Sequence, residues 1–281
     1  MFRQRCPVLA NDRVAPGHHV IRLGSARIGR TARPGQFVQI LCSDSTDPLL
    51  PRPFSFLTAT EKDFSVLYRV VGQGTQMLAG QRKGSGLWVL GPLGNGFSLR
   101  HSERSEESRS FAAKAAQDDS YLLVGGGVGI PPLYHLAQTF KDKKNIHVFL
   151  GARNRSLLLC EKEFKKLGVN LHLATDDGTK GHKGFVTDLV SHFLRPLTSS
   201  LSPLTCVYAC GPTPMLKAVS RVCASARVPC EVSVEVPMAC GFGACLGCAV
   251  RVRKGGTDQD HRFAIACKEG PVFQGSDILW D

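Results

Sequence analysis

The chain has 281 residues, of which 43% are hydrophobic and 21% charged, so it can form two domains of ordinary size and a small third one, all of globular composition. No apolar stretch has the length of a membrane span or an export signal, and we therefore expect a soluble, cytoplasmic protein. The formal net charge is +12, but the basic residues are spread along the chain without a nucleic-acid motif, which argues against nucleic-acid binding.

Residues 1–98 have the pattern of a β domain. Short runs rich in β-branched and aromatic residues, such as 36–41 and 64–71, are bounded by Gly or Pro and predict strands. Strands at this spacing are typical of an antiparallel barrel or a sandwich. The turn-rich segment 90–97 marks the predicted end of this domain.

A candidate ligand-binding motif, Arg52-Pro-Phe-Ser55, lies at the start of a predicted strand in this domain. A guanidinium group binds a phosphate through two parallel hydrogen bonds, and a hydroxyl group can hydrogen-bond a ring nitrogen of a flavin. An isolated motif of this kind also occurs at ordinary strand entries, so the residues alone leave both interpretations open.

The segment 99–120 interrupts the pattern. It is rich in Ser, Ala and charged residues and poor in large apolar ones, which indicates a charged insert or linker rather than part of a folded core. We expect it to join the first domain to the second.

Residues 121–229 alternate between predicted strands and helices. Strands are predicted at 121–124, 146–150, 169–173 and 206–210, and helices at 132–140, 159–167, 185–190 and after Pro212. This alternation predicts a doubly wound α/β domain with a parallel sheet.

Two glycine-containing motifs follow strands of this second domain. One lies within 125–129, between a predicted strand and a predicted helix, where backbone N–H groups can approach a pyrophosphate. The other, at 210–212, follows a later strand and belongs at the same carboxyl edge of the sheet. Glycines at one strand end can serve the turn alone, but two such motifs favour a nucleotide crevice. The candidate NAD-binding residues are Gly125, Gly126, Gly127, Gly129, Cys210, Gly211 and Pro212.

Residues 230–281 form a cysteine-rich tail that we predict to be a small [2Fe-2S] module. The candidate ligands are Cys240, Cys245, Cys248 and Cys267. Their C-x4-C-x2-C spacing, with a distant fourth cysteine, is the plant-type ferredoxin pattern. Small residues between the first three cysteines allow the backbone to wrap closely around a cluster and to turn its N–H groups towards sulfur.

Zinc is the structural alternative, since four thiolates also form a closed tetrahedral site. Zinc ribbons usually have two cysteine pairs of similar spacing, whereas here three ligands lie on one loop and the fourth lies elsewhere. The spacing therefore favours the cluster. The other seven cysteines are scattered, mostly in apolar surroundings where thiols pack as small hydrophobic side chains, and Cys230 is the nearest alternative ligand.

The order of these motifs resembles the ferredoxin reductase superfamily, in which a flavin-binding β-barrel is joined to a nicotinamide-binding α/β domain. With the cysteine loop at 240–248 and the segment 266–273, the chain looks like the electron-transfer subunits of the NAD-dependent, class 1B dihydroorotate dehydrogenases. The resemblance covers nearly the whole chain except 101–120. Two departures are visible, the insert after Phe97 and the pair Lys268-Glu269 before Gly270, and neither involves a candidate ligand.

This resemblance implies sites for FAD, a [2Fe-2S] cluster and NAD on one chain. The residues that would contact FAD are Arg52, Pro53, Phe54, Ser55, Leu67, Tyr68, Arg69, Gly74 and Thr75. It also implies a division of the chain into an FAD-binding β-barrel domain at 1–98, the insert at 99–120, an NAD-binding α/β domain at 121–229 and a cluster-binding module at 230–281.

The resemblance further implies a partner and a direction. Electrons from dihydroorotate oxidation would reach FMN in a separate catalytic subunit, cross the cluster and FAD of this chain, and leave as hydride to NAD+, because a flavin can exchange both one and two electrons. The assembly would be a heterotetramer with two copies of each subunit, acting in de novo pyrimidine biosynthesis.

Other functions stay open from the sequence. Related subunits serve ferredoxin:NADP oxidoreductases, hydrogenases and sulfite reductases, but the ferredoxin:NADP type usually has Asp at the first cluster position, where this chain has Cys240. A standalone diaphorase and a zinc-stabilised nucleotide-binding regulator are further alternatives. The sequence assigns neither an acid for the ribose of NAD nor an arginine for the extra phosphate of NADP.

Overall fold

The computed structural model describes residues 1–98, 120–195, 204–254 and 257–280. The predicted insert at 99–120 lies outside these ranges, apart from Ser120.

The first domain is a closed barrel of six antiparallel strands in the order β1-β2-β5-β4-β3-β6. Its elements are β1 (Phe2–Ala15), β2 (His18–Gly24), α1 (Ala26–Thr31), β3 (Phe37–Leu41), β4 (Arg52–Ala59), β5 (Asp63–Arg69), α2 (Gln73–Ala79) and β6 (Gly86–Leu93). Alternate side chains of these strands fill the interior, where Ile40, Phe56 and Phe64 are fully buried. The barrel predicted from the strand spacing is confirmed.

The second domain contains a seven-stranded sheet among the described residues, in the order β10-β9-β8-β7-β11-β12-β15. Its elements are β7 (Ser120–Gly126), α3 (Ile130–Thr139), β8 (Ile146–Ala152), α4 (Glu161–Leu167), β9 (Asn170–Thr175), β10 (His182–Lys183), α5 (Val186–Leu194), β11 (Leu204–Cys210), α6 (Thr213–Ala226), β12 (Cys230–Ser233) and β15 (Val272–Gln274). The strands pair in parallel except β15, which is antiparallel to β12.

Helices cover both faces of this sheet. Leu133 and Leu136 of α3 pack in one apolar cluster, while Val190 of α5 and Leu216 of α6 pack in the other. Central strands are consequently apolar on both sides, as the run 121–124 shows with exposures of 0 to 4%. The doubly wound arrangement predicted from the strand and helix alternation is confirmed.

The cysteine-rich segment is attached to both larger domains. It contributes β12 and β15 to the sheet and adds a hairpin of β13 (Ala249–Lys254) and β14 (Thr257–Ile265). The Asn95 side-chain amide, at the exit of the barrel, donates hydrogen bonds to the carbonyl oxygens of Lys268 and Glu269 at 3.2 and 3.0 Å. This contact fixes the turn after Cys267 against the barrel.

Ser98 marks the point where the barrel meets the sheet. Its backbone N–H donates to the Glu231 carboxylate at 2.9 Å, its hydroxyl donates to the same carboxylate, and the Tyr208 hydroxyl donates to its carbonyl oxygen at 2.8 Å. Because Glu231 is 2% exposed and Tyr208 fully buried, this junction is anchored inside the protein rather than on its surface.

None of the helices in the described ranges combines the length and the apolar character that crossing a membrane requires.

Candidate functional site

A cleft of about 690 Å³ separates the barrel from the carboxyl edge of the parallel sheet. Open parallel sheets bind ligands at this edge, because the strands end there and helices begin there. The residues that contribute to its walls include Pro16, His18 and Arg69 from the barrel and Gly126, Gly127, Val128, Gly151, Arg153, Asp176, Pro212, Met215 and Glu235 from the other side.

The two glycine motifs come together at this edge. A Cβ added to Gly129 would lie 2.4 Å from the carbonyl carbon of Cys210, and one added to Gly126 would lie 2.9 Å from the sulfur of Met215. Gly211 has φ +157°, and its own added Cβ would lie 3.1 Å from the backbone nitrogen of Gly126. Both loops therefore need glycine in order to pack against each other, as well as for any ligand.

Gly127 differs from its neighbours. It has φ +55°, a left-handed conformation, and a Cβ added there would meet no atom within 4 Å. It lies in the wall of the cleft, and α3 begins three residues later. The open space at Gly127 and the start of a ten-residue helix behind it suit the close approach of a pyrophosphate.

The structure adds charged cleft residues that the sequence did not single out. Asp176 directly follows β9 and is exposed to the cleft, close to Arg153 at the end of β8. An acid at a strand end often binds ribose hydroxyls, but no local pattern distinguishes Asp176 from the other acids of the sequence. Glu235 also lines the cleft, and burial raises the pKa of its carboxyl group.

Arg52 and Gly74, both predicted FAD residues, lie against each other. A Cβ added to Gly74 would lie 3.4 Å from Nε of Arg52 and 3.4 Å from Cγ of Pro48. The Arg52 guanidinium donates to the carbonyl oxygen of Leu50 at 2.5 Å and has further N–H groups for a phosphate. Thr75 is 6% exposed, and its hydroxyl accepts hydrogen bonds from the backbone N–H groups of Val71 and Gly72 at 2.9 and 3.1 Å, which stabilise this turn.

The other predicted FAD residues differ in exposure. The side chains of Leu67 and Tyr68 are 5% and 1% exposed, and the Tyr68 hydroxyl donates to Oδ1 of Asn11 at 3.0 Å inside the barrel. Burial raises the pKa of Tyr68 to about 12. Arg69 is exposed and lines the cleft, while Pro53, Phe54 and Ser55 are half-buried on β4. Strand alternation thus sends the Tyr68 ring into the core, whereas the next residue, Arg69, is exposed.

The four candidate cluster cysteines form two pairs. The backbone N–H of Cys245 donates to Sγ of Cys240 at 3.5 Å, and the backbone N–H of Cys267 donates to Sγ of Cys248 at 3.4 Å. Cys248 and Cys267 are each 2% exposed, whereas Cys245 is exposed on the surface. Across the described residues, no three Cys, His, Asp or Glu side chains converge as ligands of one metal ion. The arrangement offers one pair of thiols to each of two irons, which suits a [2Fe-2S] cluster.

Backbone N–H groups of the loop point at these sulfurs. Burial acts to raise the pKa of Cys240, but hydrogen bonds from the backbone of Cys245, Phe242 and Ala244 and from the Cys245 side chain bring it down to about 6. Burial, followed by the Cys248 thiol, raises the pKa of Cys267 to about 12, although the backbone of Gly243 hydrogen-bonds its sulfur. A loop that already directs N–H groups at thiol sulfurs has the donor set that a bound cluster needs.

The glycines of this loop have the backbone conformations predicted for close wrapping. Gly241 and Gly243 have φ +81° and +90°. Leu246 also has a positive φ, +57°, in a non-glycine residue, and its side chain is exposed. The other seven cysteines are buried, or half-buried in the case of Cys160, and form no disulfide.

Two parts of the chain match known protein families. Residues 235–279 match the iron-sulfur cluster binding domain of dihydroorotate dehydrogenase B, and residues 123–221 match the oxidoreductase NAD-binding domain. These ranges contain the cysteine loop and the two glycine motifs, respectively.

Curated relatives are similar over nearly the whole chain. The dihydroorotate dehydrogenase B (NAD+) electron transfer subunit of Desulforamulus reducens is 36% identical over 277 residues, covering 98% of this chain and 97% of that protein. The protein of the same name from Caldanaerobacter subterraneus subsp. tengcongensis is 36% identical over 279 residues, covering 99% of each.

Solved structures share the fold. The NADH-dependent reduced ferredoxin-NADP oxidoreductase superposes with a TM-score of 0.80 and 30% identity, covering 98% of this chain and 90% of that chain. The ferredoxin reductase of carbazole 1,9a-dioxygenase, at 19% identity and a TM-score of 0.62, shares the fold over 81% of this chain.

Proposed function

The chain belongs to the family of dihydroorotate dehydrogenase B (NAD+) electron transfer subunits, and from this premise we propose that it carries electrons between a separate catalytic subunit and NAD+. The observation that carries the proposal is the presence, on one barrel, of a nucleotide cleft on one side and a paired-cysteine loop on another. When bound, nicotinamide exchanges hydride, a [2Fe-2S] cluster exchanges single electrons, and FAD converts between the two.

The NAD side of the proposal rests on the cleft. Backbone N–H groups of the loop at 125–129 approach the pyrophosphate, and the loop at 210–212 packs against this loop and holds it in position. Asp176 accepts hydrogen bonds from the ribose hydroxyls, which favours NAD over NADP because a carboxylate repels a 2'-phosphate.

The FAD side rests on the barrel. Arg52 binds a phosphate through its free N–H groups beside Gly74, and Thr75 keeps the turn at 71–75 in shape. Ser55, together with Pro53 and Phe54, lies on the part of β4 that would face the flavin ring, and residues 67–69 lie on the neighbouring strand.

The cluster side rests on the four cysteines. Cys240 and Cys245 would hold one iron, and Cys248 and Cys267 the other; the contacts within each of these two pairs support this assignment. The proposal includes domain boundaries after residues 98, 120 and 229. The last boundary does not divide the sheet, because β12 and β15 of the cysteine-rich segment lie in the sheet of the NAD-binding domain.

The partner is a catalytic dihydroorotate dehydrogenase subunit that holds FMN, assembled with this chain as two copies of each in the cytoplasm for pyrimidine biosynthesis. Cys245 is exposed beside Phe242 and Leu246, whose side chains are 49% and 61% exposed. Apolar side chains around an exposed ligand suit a protein partner that covers the loop.

A ferredoxin:NADP role is the second candidate, because the reductase structure described above is 30% identical to this chain. Cys240 at the first cluster position and the names of the curated relatives favour the dihydroorotate role.

The test is co-expression with the catalytic subunit encoded in the same genome. We expect a stable complex that reduces NAD+ with dihydroorotate, whereas this chain alone oxidises NADH with a soluble dye. A Cys245→Ser variant is expected to lose the first activity and to retain most of the second. Failure to bind the catalytic subunit, combined with binding to a ferredoxin, would overturn the proposal in favour of the second candidate.

A further inference from the structure

Gln39 is a polar residue buried between the barrel and the cysteine loop. It is 1% exposed, and neither Nε2 nor Oε1 of its side chain has a hydrogen-bond partner among the described residues. A buried amide without hydrogen-bond partners destabilises the folded state, so an unpaired donor and acceptor at one site point to a partner that the polypeptide itself does not supply.

Strand geometry explains the orientation of Gln39. Its neighbours on β3, Val38 and Ile40, are fully buried in the barrel core, so the alternation along the strand turns Gln39 outwards. On this outer face it is paired with Pro53 of β4 on one side and Leu90 of β6 on the other. Neither neighbour offers a side-chain donor or acceptor to the amide.

The cysteine loop covers Gln39 from outside. A Cβ added to Gly241 would lie 2.5 Å from Cγ and 2.8 Å from Nε2 of Gln39. Gly241 directly follows the candidate ligand Cys240 and has φ +81°. The absence of a side chain at 241 thus brings the loop backbone down onto the Gln39 amide.

The loop that covers Gln39 holds sulfur acceptors. Backbone N–H groups of Phe242, Ala244 and Cys245 already point at Sγ of Cys240 from the loop itself. A [2Fe-2S] cluster adds bridging sulfides, which accept hydrogen bonds and carry more negative charge after reduction. Gln39 is a side-chain donor that the barrel places under this loop.

We propose that the Gln39 amide donates a hydrogen bond to a sulfur of the cluster and thereby raises its reduction potential. The inference rests on the proposed function, because it requires the cluster in this loop. Gln39 would contact the cluster from the barrel side, and it is paired in register with Pro53 of the predicted flavin site. The donated N–H stabilises the charge of the reduced cluster more than that of the oxidised one.

The experiment compares Gln39→Met with the parent chain, in complex with its catalytic subunit. Met has a similar length and removes both the donor and the acceptor. Iron and FAD contents are measured first, and then the cluster potential by redox titration with electron paramagnetic resonance detection and the FAD potential by absorbance. We expect the variant to retain iron and FAD and its cluster to be reduced with an equilibrium constant about tenfold lower, equivalent to about 59 mV for a one-electron couple.

Gln81→Met is the matched control. The Gln81 amide lies on another side of the barrel and donates to the carbonyl oxygen of Met77 at 3.4 Å. We expect this variant to leave the cluster potential unchanged, which separates a local effect from a general loss of barrel stability.

A second measurement does not depend on the variant folding. In parent protein made by cell-free synthesis with ¹⁵N-glutamine, the reduced cluster should show a ¹⁵N hyperfine coupling, and no glutamine lies between positions 240 and 248 to contribute a labelled loop backbone. An unchanged cluster potential in iron-loaded Gln39→Met, a shift of the FAD potential alone, or no ¹⁵N coupling would each overturn the proposal. Parent protein that binds no iron would instead overturn the proposed function.

Discussion

Gly129 and Cys210 are in backbone contact, although 81 positions separate them: a Cβ at Gly129 would lie 2.4 Å from the carbonyl carbon of Cys210. Real Cβ atoms do not approach this closely, so any side chain at 129 forces the two loops apart. The contact joins the ends of β7 and β11, which are adjacent in the sheet. The shape of the nucleotide cleft therefore depends on glycine at position 129.

Gly129→Ala is expected to weaken NADH binding and to lower the free energy of unfolding, because the added methyl group displaces the Cys210 loop. Gly127→Ala is the comparison, since its methyl group meets no atom within 4 Å. It should cost only about 1 kcal/mol of backbone strain but still obstruct the ligand. Urea unfolding and NADH titration would measure both; equal stability of the two variants would contradict the role of the contact.

Asp176→Ser is expected to weaken NADH binding about tenfold or more, because hydrogen bonds to a charged group contribute about 1.5 to 3 kcal/mol. NADPH binding should weaken less or improve, since the repelling carboxylate is gone. Asp177→Asn is the control: the Asp177 carboxylate accepts hydrogen bonds from Thr179 at 2.9 and 2.6 Å and does not line the cleft. Steady-state KM values for both cofactors give the readout, and an unchanged preference in Asp176→Ser would exclude this role.

Arg52→Lys is expected to weaken FAD binding about tenfold, because lysine keeps the charge but loses the fork that binds a phosphate through two N–H groups. Arg22→Lys, at an exposed position of β2, is the matched control and should retain FAD. FAD release is followed by flavin fluorescence. Equal retention of FAD by the two variants would show that Arg52 does not bind an FAD phosphate.

Cys245→Ser is expected to lose cluster iron and the paramagnetic signal of the reduced protein, because one thiolate ligand is replaced by a hydroxyl group. Cys230→Ser is the control, because Cys230 is 7% exposed in the apolar core. This variant should keep the cluster iron despite some loss of stability. Iron analysis and electron paramagnetic resonance after NADH reduction would decide. Loss of iron in Cys230→Ser alone would reassign the ligand set.

The stability of the protein should decrease as pH falls from 6.5 towards 4, in part through His135. This side chain is 6% exposed on α3, Nδ1 has no partner among the described residues, and burial lowers the pKa of His135 from 6.5 to about 4. Because the unfolded chain binds the proton first, the full stability is present above pH 6.5 and up to about 3 kcal/mol is lost by pH 4.

His135→Leu should therefore reduce the slope of the unfolding free energy against pH between 6.5 and 4. The reduction corresponds to at most one fewer proton taken up on unfolding. Burial also lowers the pKa values of His147 and His172, so part of the slope remains. His192→Leu, at an exposed position of α5, is the control and should keep the parent slope. Urea unfolding at several pH values measures this, and identical slopes for parent and His135→Leu would contradict the assignment.

Local sequence patterns were sufficient to predict the main strands and helices, and they also supplied the candidate cysteine ligands. Alternation in the run 64–71 and the strand-helix order after residue 121 predicted β5 and the doubly wound domain, because these periodicities are properties of a few consecutive residues. The spacing of Cys240, Cys245 and Cys248 likewise indicated the cluster without any tertiary information.

Residues that act through long-range contacts needed the tertiary structure. No local pattern distinguishes Asp176. It lines the cleft because β9 lies in the same sheet as the glycine strand β7, two strands away, and both strands end at the same edge. Tyr68 was assigned with its neighbours to FAD, but strand parity directs its ring into the barrel, where it donates to Asn11.

The sequence by itself determined which kinds of site this chain contains: a glycine-lined nucleotide edge and a four-cysteine loop, with an arginine motif on a barrel between them. Only the tertiary structure decided how they are related, because strand order and register set which distant residues meet. The pairing of Gln39 with Pro53 depends on the register of two barrel strands, and the close approach of Gly241 to the Gln39 amide depends on loop packing across some 200 positions. No pattern within a short window contains that information.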